Sequence, residues 1–185
     1  LKKNYSHLKN INYENIALSN TDGVNKMTYI PEEEIANENV RFRMDTTPQL
    51  WKEHWAGGLG SFYDDKNCLG CPELKQFQKT INVPTKTFRY LIDKYDISSY
   101  KNIVLQTDCE GHDLVLMKSF PFDVLKPKIY ICEIYGKTRY PPSHPNFGTN
   151  KGLYSQQDEE DASQILKNNN YRLYRSNDMI GILEG

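Results

Sequence analysis

Apolar runs alternate with amphipathic stretches through the second half of the chain. Residues 81–83 (Ile-Asn-Val) read as a short strand. Pro84-Thr85-Lys86-Thr87 then opens a helix with Phe88, Leu91, Ile92 and Tyr95 along one face. Residues 103–105 (Ile-Val-Leu) form an uninterrupted apolar run, the pattern of a strand buried on both faces in a parallel sheet. A short helix follows over 112–119, and residues 129–134 supply the next buried strand. A helix over 156–169 turns Ala162, Ile165 and Leu166 inward. Residues 171–174 and 179–183 read as two final strands around the turn Ser176-Asn177-Asp178. This order predicts an α/β fold, with a mostly parallel sheet that ends in an antiparallel hairpin.

The first half is less regular. Residues 1–9 read as the end of an amphipathic helix, with Leu1, Tyr5 and Leu8 on one side. Residues 12–18 and 26–30 read as strands, with a turn over 19–23 between them. Residues 31–79 carry an acidic Pro31-Glu32-Glu33-Glu34, then Trp51, Trp55 and Gly57-Gly58-Leu59-Gly60. No strand and helix flank the glycines in the order a phosphate loop needs. The stretch is expected to be an irregular insertion or lid within a single domain spanning residues 1–185.

Charge and length narrow the possibilities. A chain of 185 residues suits one domain with a sizeable core. Lys plus Arg total 23 against 24 Asp plus Glu, a net charge of -1, so no nucleic-acid partner held by bulk charge is expected. Aromatic residues make up 12% of the chain, which argues for a folded, polar-surfaced domain. No run approaches the roughly 18 apolar residues of a membrane-spanning helix. No signal peptide is visible either, and a cytoplasmic location is the expectation. Cys68 and Cys71 form a single CxxC. With no second pair to complete a tetrahedron, no zinc is expected, only thiols in a reducing compartment. Cys109 and Cys132 fall in or beside segments that read as buried.

The candidate chemistry sits at Thr107-Asp108-Cys109-Glu110-Gly111-His112-Asp113, directly after the run 103–105. Open α/β sheets bind ligands beyond the carboxyl ends of their strands. The next strand ends similarly, at Cys132-Glu133, so two neighbouring strands deliver carboxylates to one edge. Asp108 and Glu110 are candidates for a general base and its orienter, with His112 and Glu133 as further catalytic candidates. A purely structural role would make Asp108 or Asp113 a helix cap and pair Glu133 with a basic residue. Asp108 and Glu110 could also hold a divalent ion that grips a nucleotide diphosphate, as in a metal-dependent glycosyltransferase.

These residues carry a family resemblance. The run Asp108-Cys109-Glu110-Gly111-His112-Asp113, followed by Val115-Leu116, resembles the signature of FkbM-type S-adenosylmethionine-dependent methyltransferases. Lys126-Pro127 and the strand to Glu133 resemble a second element of that family, and Asn15-Ile16-Ala17-Leu18-Ser19 with Gly23 a third. Gly58-Leu59-Gly60-Ser61, residues 83–91 and Asn170-Tyr171-Arg172-Leu173-Tyr174 keep the family's order.

The resemblance implies a Rossmann-like class I methyltransferase sheet, N-terminally truncated. It implies S-adenosylmethionine as cofactor, and a hydroxyl of a sugar, glycan or other small molecule as acceptor. Ile16, Ala17 and Leu18 would lie near the adenine, and Asp108 would serve both cofactor and catalysis. The aromatic residues Trp51, Trp55, Phe62 and Tyr63 would suit a lid over a sugar ring or macrocycle. The family's glycine-rich turn and acidic ribose partner have no counterpart after Leu1. The resemblance therefore implies weaker donor binding than by a protein that carries them, or a non-catalytic remnant.

Overall fold

The structure, a computed structural model, describes residues 7–35, 60–64, 75–134, 154–175 and 178–185. In chain order the strands are β1 (Ala17–Leu18), β2 (Gly23–Tyr29), β3 (Gly60–Ser61), β4 (Lys79–Lys86), β5 (Val104–Thr107), β6 (Ile129–Cys132), β7 (Tyr171–Arg175) and β8 (Met179–Leu183). A single helical turn, α1 (Glu32–Ile35), precedes three longer helices: α2 (Phe88–Lys94), α3 (Asp113–Ser119) and α4 (Gln156–Asn168). The strands form two four-stranded sheets, ordered β1-β4-β2-β3 and β5-β6-β8-β7.

Local chemistry accounts for the helix ends. Thr87 is extended, with φ -82° and ψ 163°, and its hydroxyl accepts the Tyr90 N–H, so α2 starts at Phe88. Ser155 and Asp158 form a reciprocal capping box at the start of α4. Pro84 does not open a helix. It lies inside β4 opposite Val24, because seven register pairs, from Gly23 with Thr85 to Tyr29 with Lys79, hold the segment extended. A proline φ is compatible with an extended backbone, so tertiary pairing overrides the local helix signal.

The expectation of a mostly parallel, Rossmann-like sheet is overturned. Among the described residues β1 with β4 and β5 with β6 pair in parallel. The pairs β2–β3, β2–β4, β6–β8 and β7–β8 are antiparallel, so both sheets are mixed. The largest departure is the β2–β4 ribbon, whose partners lie 50 to 62 positions apart and so leave no local periodic signal. The run 103–105 is not buried on both faces either. Among the described residues β5 is the outer strand of its sheet, and Val104 is 60% exposed. Successive strand side chains face opposite sides, so an apolar run shows strand character without showing that both sides are covered.

Residues 12–18 contribute only the pair Ala17–Leu18 to a sheet, and residues 7–15 hold no helix. Leu1 and Tyr5 lie outside the described residues, as do Trp51, Trp55, Cys68, Cys71 and the turn at Ser176-Asn177.

The core lies between the second sheet and α3 and α4. Tyr130, Cys132 and Met179 on the inner face are buried with Leu116 and Met117 of α3 and Ala162 and Leu166 of α4. Gly181 lets the sheet approach closely: a Cβ there would stand 3.3 Å from a Leu166 methyl and 3.1 Å from the Tyr171 ring. Phe120 meets Phe88, Phe122 and Tyr130 edge to face, and this aromatic group closes one end of the core. No helix among the described residues is long and apolar enough to cross a membrane.

Candidate functional site

β5 ends at Thr107, and the chain turns before α3 begins. The turn is closed by the His112 N–H donating to the Cys109 carbonyl at 3.1 Å. Its central residues both have positive φ, 46° at Glu110 and 97° at Gly111, which glycine adopts freely and glutamate does not. Asp113, the first residue of α3, ties the turn from beneath. Its fully buried carboxylate accepts the Cys109 N–H at 3.0 Å and the Tyr154 hydroxyl at 2.9 Å. The Tyr154 oxygen in turn accepts the Asp113 N–H at 2.9 Å. The N-cap position of α3 is held by His112, which makes no side-chain cap bond, so neither Asp108 nor Asp113 occupies the capping position.

Parallel pairing brings the second strand end alongside. The Glu133 N–H donates to the Thr107 carbonyl at 3.2 Å, placing Glu133 next to the turn. One carboxylate oxygen each from Asp108, Glu110 and Glu133 then lies within 4.8 Å of the others. Of the four catalytic candidates, three therefore form one acidic triad, which by spacing could hold a divalent cation.

His112 is distinct from the triad and buried. Its Nε2 lies 3.3 Å from the Ser19 hydroxyl and its Nδ1 lies 3.1 Å from the Tyr63 hydroxyl. The Phe62 ring meets the imidazole edge to face at 4.8 Å. Burial pushes the imidazole pKa below its usual value, opposed in part by the nearby Asp113 carboxylate. Ser19 also donates to the Asn20 side-chain oxygen at 3.2 Å. With its one proton spent there, Ser19 accepts from Nε2–H, leaving Nδ1 to accept from Tyr63.

A cavity of about 320 Å³ opens at this edge, lined among others by Ile16, Ala17, Leu18, Asp108, Cys109 and His112. Parallel pairing of Ala17 and Leu18 with Thr85 and Lys86 carries the 16–18 segment there. Met27, Gly60 and Phe62 complete the wall. The Cys109 thiol is pushed up to about 12 by burial and by the Asp113 carboxylate, so it stays protonated at neutral pH. A larger cavity of about 550 Å³ lies by Ile103 and Val104 and contains none of the candidate residues.

The sequence-predicted residues Ile16, Ala17, Leu18, Asp108 and His112 thus share one cavity, and Glu110 and Glu133 stand beside Asp108. Phe62 and Tyr63, the described members of the aromatic group, lie against His112. Sequence reasoning missed Ser61, whose hydroxyl donates to the Glu110 carbonyl at 2.8 Å, and Met27 in the cavity wall. The Gly60-Ser61 pair was a usable signal for the first; nothing local marked the second. Compared with protein-family models, curated proteins and solved structures, the chain matches none.

Proposed function

We propose that the chain is an S-adenosylmethionine-dependent O-methyltransferase of FkbM type, acting on a hydroxyl of a sugar, glycan or other small molecule. One observation carries this reading. Ile16, Ala17 and Leu18, which the resemblance puts near the donor, line the same cavity as Asp108, Cys109 and His112, about ninety positions away.

The residues suit the donor. Ile16, Leu18, Met27 and Phe62 offer an apolar wall to a flat adenine ring. The triad of Asp108, Glu110 and Glu133 favours a cationic sulfonium nearby. A thiolate in the wall would compete for the methyl group, and the protonated Cys109 does not. When bound, the donor supplies an electrophilic methyl group. The chain's task is to hold the acceptor hydroxyl in line and take its proton, at a carboxylate oxygen of Asp108 in this reading.

Calorimetric titration of the chain with S-adenosylmethionine tests the proposal. Saturable binding that Ala17→Glu abolishes supports it, and no binding at millimolar donor, by the chain or by a protein that also carries the glycine-rich turn, removes it. The carboxylate triad favours a second reading, metal-dependent glycosyl transfer, in which Asp108, Glu110 and Glu133 hold a divalent ion under a nucleotide diphosphate. Manganese-dependent hydrolysis of a sugar nucleotide, lost in Asp108→Asn, would favour it over the first.

A further inference from the structure

We infer that Ser61 is a positioning residue: its hydroxyl holds the Glu110 backbone in the left-handed conformation that presents the Glu110 carboxylate to Asp108 and Glu133. The Ser61 side chain is buried, and both capacities of its hydroxyl are used. It donates to the Glu110 carbonyl at 2.8 Å and accepts the Tyr63 N–H at 3.1 Å. The turn it grips is one that glutamate disfavours, since φ at Glu110 is 46°. A residue in such a conformation persists only where its surroundings hold it there. Asp113 restrains the turn at Cys109, one residue earlier, and Ser61 bonds the Glu110 carbonyl itself.

The arrangement also joins two parts of the site. Gly60 and Phe62, on either side of Ser61, line the cavity. β3 is pinned to β2 through Thr28 with Ser61 and Tyr29 with Gly60. The β3 side of the cavity wall is thereby tied to the Glu110 turn through one hydroxyl. The inference concerns the same site as the methyltransferase reading but does not need its chemistry. Donor titration decides that reading, whereas the measurements below use the ligand-free chain.

Amide hydrogen exchange of the full chain tests it. In Ser61→Ala, the His112 amide, which closes the turn, is expected to exchange about tenfold faster, while the α4 amides keep their wild-type rates. Adding Glu110→Gly to Ser61→Ala is expected to restore slow exchange at His112, because glycine takes positive φ without strain. A hydroxyl with only a general packing role would not be rescued by a change at residue 110. An unchanged His112 rate in Ser61→Ala would overturn the inference. So would acceleration spread equally over α4, or failure of the glycine to restore protection.

Discussion

Glu110 takes a backbone conformation that costs an L-residue with a Cβ about 1 kcal/mol, beside a glycine that takes its own at no cost. The carboxylate is kept at that position despite the penalty, and it stands with Asp108 and Glu133 at the cavity edge. Asp108 is exposed there and caps no helix, so its substitution separates chemistry from architecture. Under the proposed reaction, in a protein that also carries the family's glycine-rich turn, Asp108→Asn should lower methyl transfer roughly 100-fold or more while weakening donor binding less, since Asn is nearly isosteric but accepts no proton. Turnover and calorimetric affinity measured on the same variant check this; near-normal turnover would move the role of base to Glu110 or Glu133. His112 makes a second prediction. Burial lowers its folded pKa below the ordinary 6.5, so the unfolded chain binds the proton more tightly. Stability from the neutral imidazole is therefore present above about pH 6.5 and declines as pH falls through that value toward the folded pKa. Melting temperatures followed from pH 8 to pH 5 should show this loss, and His112→Gln should flatten it.

At the scale of elements, the strongest local instructions sit at helix starts. α4 opens with Ser155 accepting the Asp158 N–H at 3.1 Å while the Asp158 carboxylate accepts the Ser155 N–H at 2.8 Å. Ser155→Ala should cost about 1 kcal/mol, read as a lower midpoint in urea with an unchanged slope. A midpoint equal to wild type would show that the preceding Tyr154 anchor suffices. That anchor joins elements: the Tyr154 hydroxyl bonds Asp113 on both its amide and its carboxylate, fixing the α4 entry to the site turn. Strands follow a different logic. β4 runs straight through Pro84, where local chemistry favours a helix start, because β2 pairs along its length. Edge position matters equally: β5 has the apolar pattern of an inner strand and lies outermost among the described strands.

At the scale of the whole molecule, two mixed sheets meet at the site. The first delivers Ile16, Ala17, Leu18 and Ser19 through β1, and Ser61 with its neighbours through β3. The second delivers Asp108, Glu110 and Glu133 through the ends of β5 and β6. The second sheet depends on α3 and α4 for cover, and Leu166 is fully buried at that contact, against Gly181. Leu166→Ala should destabilise the chain by about 2–5 kcal/mol through the cavity it leaves. A loss under 1 kcal/mol in denaturant unfolding would show that the layer collapses to fill the space.

The sequence by itself determined much of the second half: α2 and α4 with their buried faces, the β7–β8 hairpin, and the adjacency of β5 and β6. These are legible because each is written in a local period, a capping residue or a short apolar run. It also marked Asp108, Glu110, His112 and Glu133, since charged residues directly after strands stand out against the apolar pattern. Only the tertiary structure decided that the sheets are mixed, that β5 lies outermost among the described strands, and that β4 absorbs Pro84. Strand direction and neighbour choice depend on hydrogen bonds between residues far apart, and no window of sequence contains both partners. For the same reason the grip of Ser61 on Glu110, the contacts of His112 with Ser19 and Tyr63, and the tie from Tyr154 to Asp113 were not legible. Each is a hydrogen bond across 41 to 93 positions, made possible only once the sheets have brought its ends together.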